Sequence, residues 1–113
     1  MIHRAGKWEG FPLFAPPIIK KGDFVLNQTP TIMRYLGKEF GLFPKTKEHE
    51  AHADSIMGFV TDFIAEGRLV FHARCFTESY YTQIEETKGH IEWFKSSRLP
   101  SFIPHLENLI NYN

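Results

Sequence analysis

No disulfide can form within this chain, because Cys75 is its only cysteine, and a lone thiol fits a reducing compartment such as the cytosol. No apolar run reaches the roughly 18 to 20 residues needed to span a bilayer, and the start, Met1-Ile2-His3-Arg4, lacks the apolar core of a secretion signal. Net charge is also missing. Thirteen Lys and Arg balance thirteen Asp and Glu, so no long-range field draws the chain toward nucleic acid or an anionic membrane. Internal repeats and low-complexity tracts are absent too. What is present is apolar material: 42% hydrophobic and 15% aromatic residues over 113 positions, enough for one small packed core and too little length for two independent ones. The expectation is a soluble, cytoplasmic chain with neither nucleic acid nor membrane as partner.

Residues 1 to 15, with Gly6, Trp8, Gly10, Phe11 and Pro12, follow neither a period of 2 nor of 3.6 and read as loop. Two short β-favouring runs follow, Pro17-Ile18-Ile19-Lys20 and Phe24-Val25-Leu26, separated by the turn signal Lys21-Gly22-Asp23; they predict a hairpin. Thr29-Pro30 predicts a helix start, with threonine as cap and proline where a missing N–H costs nothing. Ile32, Leu36 and Phe40, widened by Met33, form its apolar stripe. Gly41 ends it in a left-handed turn, Leu42 folds back on the last turn, and Pro44 forbids continuation.

A second helix is expected from near Thr46 to about His72. Glu48 and Glu50 lie near its positive end, and Ile56, Phe59, Val60, Phe63 and Ile64 share one face. After a turn through residues 73–77, Thr82 and Glu85 make a capping box opening a third helical stretch. Its stripe runs through Ile91, Phe94, Leu99, Phe102, Ile103, Leu106, Leu109 and Ile110, crossing Pro100 and Pro104, either of which should bend or interrupt it. The fold class expected is mainly α with a small β-hairpin.

The pattern Pro16-Pro17-Ile18-Ile19, then Gln28-Thr29-Pro30-Thr31-Ile32-Met33-Arg34-Tyr35-Leu36-Gly37, resembles the second half of the thioredoxin-like domain of cytosolic glutathione transferases. There a cis-proline opens a strand, a hairpin follows, and Gln or Glu with Ser or Thr begins a helix ending in Tyr-Leu. The later stretch from Arg98 to Leu109 is similar to the long bent helix of that family's all-helical domain. Together the two cover roughly residues 12 to 111. The resemblance implies a truncated glutathione-transferase-like fold. Residues 1–44 would be the C-terminal half of a thioredoxin-like glutathione-binding domain, and 45–113 the first two long helices of the all-helical domain.

The motif also has a physical sense of its own. An X-Pro bond in a tight turn tolerates the cis form, which turns the adjacent backbone outward to pair with an extended peptide. Pro16 has only a carbonyl to offer there, where the family usually offers both backbone groups to the cysteinyl part of glutathione. A helix N-terminus at Gln28 and Thr29 attracts a carboxylate through free amides and dipole. By resemblance, Thr29 would donate hydroxyl and amide to the γ-glutamyl carboxylate, and Gln28 would bind the nearby amino or carboxylate group. Thr29 capping its own helix is the simpler job, and the two are compatible. The resemblance thus names Pro16, Pro17, Gln28 and Thr29 as glutathione-binding residues, with glutathione as co-substrate.

Other candidates read as structural. His49 and His52, three apart on a helix, lack the further ligands a metal needs. Cys75 has only Arg74 beside it to activate a thiolate. Phe76, Tyr80 and Tyr81 read as packing, or by resemblance border the pocket for an apolar co-substrate. Arg34 and Tyr35 correspond to positions near the family's subunit interface.

The family's catalytic Tyr, Ser or Cys follows a first strand, and nothing among the sixteen residues before Pro17 matches that segment; the further helices that follow the long bent helix are likewise unmatched. The expectations are two. In one, the chain is a fragment of an enzyme that conjugates glutathione to electrophilic small molecules. In the other it is a non-catalytic binding or scaffold module, a homodimer or dependent on a partner chain. A small helical interaction domain is the reading that ignores the resemblance.

Overall fold

A computed structural model of the chain describes residues 10–112. The order of elements is β1 (Ile18–Lys21), β2 (Phe24–Asn27), α1 (Thr29–Glu39), α2 (Lys47–Arg68), a 3-10 turn (Tyr80–Thr82), α3 (Ile84–Trp93), a π turn (Phe94–Arg98) and α4 (Leu99–Asn111). The protein is mostly helical with a two-stranded antiparallel hairpin, as a truncated glutathione-transferase-like fold requires. Two compact units meet within α2, the first ending at Met57 and the second beginning at Gly58. Gly6 and Trp8 of the expected N-terminal loop lie outside the described residues. No helix among the described residues is long and apolar enough to cross a membrane.

In the first unit, β1 and β2 pair in the register Ile18 to Asn27 and Lys21 to Phe24, and Gly22 supplies the positive φ of 60° at the turn between them. The alternation along β2 sends Val25 and Asn27 inward. Val25, Ile32 of α1 and Leu13 of the preceding loop are the buried apolar residues among those described in this unit. Phe24 and Tyr35 stack with ring centroids 5.0 Å apart, and Lys21 pairs with Glu39, tying the hairpin turn to the end of α1.

Gly41 takes the expected left-handed conformation, at φ 68°, but the fold-back falls on the next residue. The amides of Leu42 and Phe43 both donate to the Gly37 carbonyl, at 2.8 and 2.9 Å, leaving Leu42 exposed. Phe43 is the residue that returns, half-buried beneath the Arg34 guanidinium at 4.7 Å and the Lys38 ammonium at 5.0 Å. Arg34 also reaches the start of α2, pairing with Asp54 and, at 3.2 Å, with Glu50.

Thr46 caps α2 as expected: its hydroxyl accepts from the His49 amide at 3.3 Å. The helix ends at Arg68, four residues before its expected limit, because the next amides tighten to three-residue turns, Leu69 to Glu66, Val70 to Gly67 and Phe71 to Arg68.

The core of the second unit is an aromatic seam. Phe63 packs on Phe94 at 5.7 Å and on Phe102 at 4.9 Å, and Phe59 packs on Phe102 at 4.9 Å. Phe94 lies against Gly67, where an added Cβ would sit 3.6 Å from its ring. The apolar face of α2 is narrower than its sequence period implies. Phe59, Val60 and Phe63 are half-buried, while Ile56 and Ile64 are exposed. Pro100 falls at the opening of α4, immediately after the π turn, whose wider hydrogen-bond register separates α3 from the proline. Pro104 lies inside α4, which continues through it.

Thr82 does not open a helix. It closes the 3-10 turn, its hydroxyl donating backward to the Ser79 carbonyl at 2.9 Å, and Gln83 takes the N-cap position of α3 without a side-chain cap. The Gln83 side chain is committed elsewhere.

Candidate functional site

The hairpin register explains how residues eleven positions apart come to one place. Ile18 pairs with Asn27, so the residues just beyond them, Pro17 and Gln28, lie at the same end of the hairpin. The Pro16–Pro17 peptide bond is cis, and both prolines are exposed. On the other side, the chain enters α1 through an unusual backbone: Gln28 has φ 72° and ψ 115°, a region that non-glycine residues rarely occupy.

That conformation starts α1 one residue earlier than a threonine cap at Thr29 requires. Gln28 is the cap by position, Thr29 is the first helical residue, and no side chain closes the terminus. The first amide to find a partner is that of Ile32, which donates to the Gln28 carbonyl at 2.9 Å. Pro30 has no N–H, so the first turn offers the amides of Thr29 and Thr31, together with the exposed side chains of Gln28 and Thr29. Donors without acceptors at the positive end of a helix suit a carboxylate. The structure therefore brings the four candidate residues, Pro16, Pro17, Gln28 and Thr29, to one end of the first unit.

The remaining candidates are placed in different settings. His49 and His52 are neighbours on α2 with ring centroids 6.3 Å apart, and no cluster of three or more metal-ligating side chains occurs among the described residues. Phe71, Tyr80 and Tyr81 form a chain of edge contacts at 6.0 and 5.7 Å, and Phe76 meets His72 edge-on at 6.4 Å while Arg68 covers its ring. Cys75 is half-exposed, and its thiol is drawn below the usual cysteine value by the Thr77 hydroxyl 3.1 Å away and by backbone amides, against partial burial. Arg74 does not serve the thiol. It is held by Glu78 at 2.5 Å, Glu86 at 2.8 Å and the Thr82 carbonyl at 3.0 Å.

Gln83, which the sequence pattern does not single out, proves to be the organiser of this region. It is fully buried, and its carboxamide oxygen accepts from the amides of Arg74 and Cys75. Its nitrogen donates to the carbonyls of Cys75, Glu78 and Ser79. A buried glutamine inside a loop-to-helix junction has no periodic signature, so only the path of the loop reveals it.

No family model and no solved structure matches the chain. Curated relatives do. Over 86 residues the chain is 37% identical to glutathione S-transferase 1 of Ascaris suum, an alignment covering 63% of this chain and 42% of that protein. It is 42% identical over 65 residues to glutathione S-transferase 4 of Caenorhabditis elegans, covering 58% of this chain and 28% of the relative. To glutathione S-transferase P 1 of Xenopus laevis it is 31% identical over 98 residues, covering 86% of this chain and 40% of the relative. The chain thus spans less than half the length of each of these relatives.

Proposed function

Since the chain is a partial glutathione-transferase-like chain, we propose that Pro16, Pro17, Gln28 and Thr29 bind glutathione, and that the parent activity is conjugation of glutathione to electrophilic small molecules. The observation that carries this reading is the start of α1. Gln28 is held at φ 72° and no side chain closes the helix terminus, an arrangement that leaves donors for a γ-glutamyl carboxylate. Thr29 supplies a hydroxyl and an amide, Gln28 a carboxamide that can meet the amino or carboxylate group, and Pro16 a carbonyl for the cysteinyl amide.

On this reading residues 1–44 are the C-terminal half of a thioredoxin-like domain, and 45–113 supply the first two long helices of an all-helical one. The group that stabilises the glutathione thiolate is assigned to none of these residues. Thiolate stabilisation is the main catalytic contribution in such chemistry, so this segment binds without driving the reaction. Its partners are glutathione, an electrophile and either a second copy or a partner chain, in the reducing cytosol that a lone cysteine suits.

Glutathione titrated into the 113-residue protein, followed by amide chemical shifts, tests the assignment. Saturable shifts at Thr29 and Thr31, abolished by Thr29→Val, are the expected result. Absence of binding would overturn the site. Turnover of an electrophilic aromatic substrate by the same protein, above the rate in glutathione alone, would overturn the placement of catalysis outside it.

A further inference from the structure

The first turns of α2 set two imidazoles side by side. His49 and His52, three residues apart, are neighbours on the helix surface, both exposed, with ring centroids 6.3 Å apart. The turn that carries them is held in place, because the His49 amide donates to the Thr46 hydroxyl that caps the helix. Neither imidazole makes a hydrogen bond or an ion pair with a described residue, so each ring is free to turn and, when neutral, offers one nitrogen lone pair.

An imidazole nitrogen lies about 1.1 Å from its ring centre and takes a metal at about 2.0–2.1 Å, so one ion holds two imidazoles with centroids about 4.5 Å apart at a right angle and about 6.4 Å apart in a line. The observed separation is already inside that range. Glu48 adds charge: it precedes His52 by one helical turn and pairs with no cation among the described residues. The neighbouring acids Glu50 and Asp54 are held by Arg34. The positive end of the helix works against a cation, and the acids of its first turn offset that field. A closed structural centre takes four protein ligands, and no three metal-ligating side chains gather among the described residues, so the pair suits an ion that keeps water in its remaining positions.

We propose that His49 and His52 form an open, two-imidazole site for a divalent metal ion of the Zn²⁺, Ni²⁺ and Cu²⁺ group. Imidazole nitrogen suits these ions, whereas Mg²⁺ and Ca²⁺ take oxygen ligands, so the site discriminates by the chemistry of its donors. The two rings act together. Once one holds the ion, the other faces it at a high effective concentration and slows its loss. This site uses none of the residues assigned to glutathione and lies wholly within the first unit.

The test titrates zinc chloride into the 113-residue protein and follows amide chemical shifts, with glutathione and other thiols left out. His3→Gln is present in every sample, so that this imidazole does not compete. Saturable shifts confined to residues 46–55 are expected, with none from magnesium chloride. His49→Gln and His52→Gln, exposed changes that should leave the circular dichroism as it was, are each expected to weaken zinc binding about tenfold or more. His90→Gln and His105→Gln should leave it unchanged. Equal affinity in the parent and in either single variant of the pair would mean a lone imidazole holding an adventitious ion only, and would overturn the proposal. So would shifts centred on Cys75, shifts of the same size with magnesium, or shifts that do not saturate.

Discussion

Gln83 holds Cys75 by both of its backbone groups: the carboxamide oxygen accepts from the Cys75 amide at 3.1 Å and the carboxamide nitrogen donates to the Cys75 carbonyl at 2.9 Å. One side chain thereby takes the place of a paired strand for the loop between α2 and α3. With the further bonds to Arg74, Glu78 and Ser79, it satisfies five backbone contacts from a fully buried position. Replacing it with leucine keeps the volume and removes every partner. Gln83→Leu should destabilise the protein by about 2–4 kcal/mol, because buried amides and carbonyls lose their partners where water does not readily replace them. Denaturant unfolding measures the loss, and hydrogen exchange at the Arg74 and Cys75 amides should quicken by more than the global change explains. Uniform quickening across all helices would show that Gln83 acts only as filler.

The regular parts of the fold were legible because they rest on local rules. The turn at Gly22, the left-handed end at Gly41 and the Thr46 cap are each dictated by one residue, and each is found. Thr82 and Glu85 satisfy the same kind of local rule and fail, because Gln83 between them gains more from the loop than a capped helix offers. Ile56 and Ile64 fit the apolar period of α2 and remain exposed, since period reports which residues share a face and not how much of that face a neighbour covers. At the candidate site, residue types pointed to Gln28 and Thr29, but φ at Gln28 and the start of the helix one residue early are properties of the path into α1. The Arg98 clasp on Glu66 spans 32 residues, and neither partner carries a local sign of the other.

That clasp predicts a pH dependence. Hydrogen bonds from Arg98 hold the Glu66 carboxyl below the ordinary carboxylate value, against partial desolvation, and the Arg98 pKa is raised in turn. A carboxyl whose folded-state pKa is depressed contributes stability that is fully present above its unfolded value, about 4.3, and is lost as pH falls through the lower folded value. Glu39 and Glu78 are depressed in the same direction by Lys21 and Arg74, so the whole acid limb is not due to Glu66. The difference between wild type and Glu66→Gln isolates it. Tm measured from pH 7 downward should show a gap in favour of wild type that closes below about pH 4. A gap independent of pH would assign the effect to packing alone.

Gly58 lies inside α2, and a Cβ added there would meet nothing within 4 Å. Glycine in a helix interior costs about 1 kcal/mol relative to alanine, through backbone entropy in the unfolded chain. Gly58→Ala should therefore stabilise the protein by about 0.5–1 kcal/mol without changing glutathione binding. Chemical denaturation gives the number. A loss of stability would mean that the position packs against something in solution.

Gln28 offers a test in which stability and binding move in opposite directions. A non-glycine residue at φ 72° stores about 1–3 kcal/mol of backbone strain, which glycine relieves at an entropic cost of about 0.5–1 kcal/mol. Gln28→Gly should leave the protein as stable as wild type or more stable by about 1 kcal/mol. The same change removes the carboxamide, and the first turn of α1 is no longer held in one conformation. Glutathione affinity should then fall about tenfold, the equivalent of one hydrogen bond to a charged group. Gln28→Ala separates the two effects: it removes the carboxamide while keeping the strain, so it should lose affinity without gaining stability. If Gln28→Gly binds glutathione as wild type does, the left-handed backbone serves the folding of the hairpin into α1, and the carboxylate of the ligand belongs elsewhere.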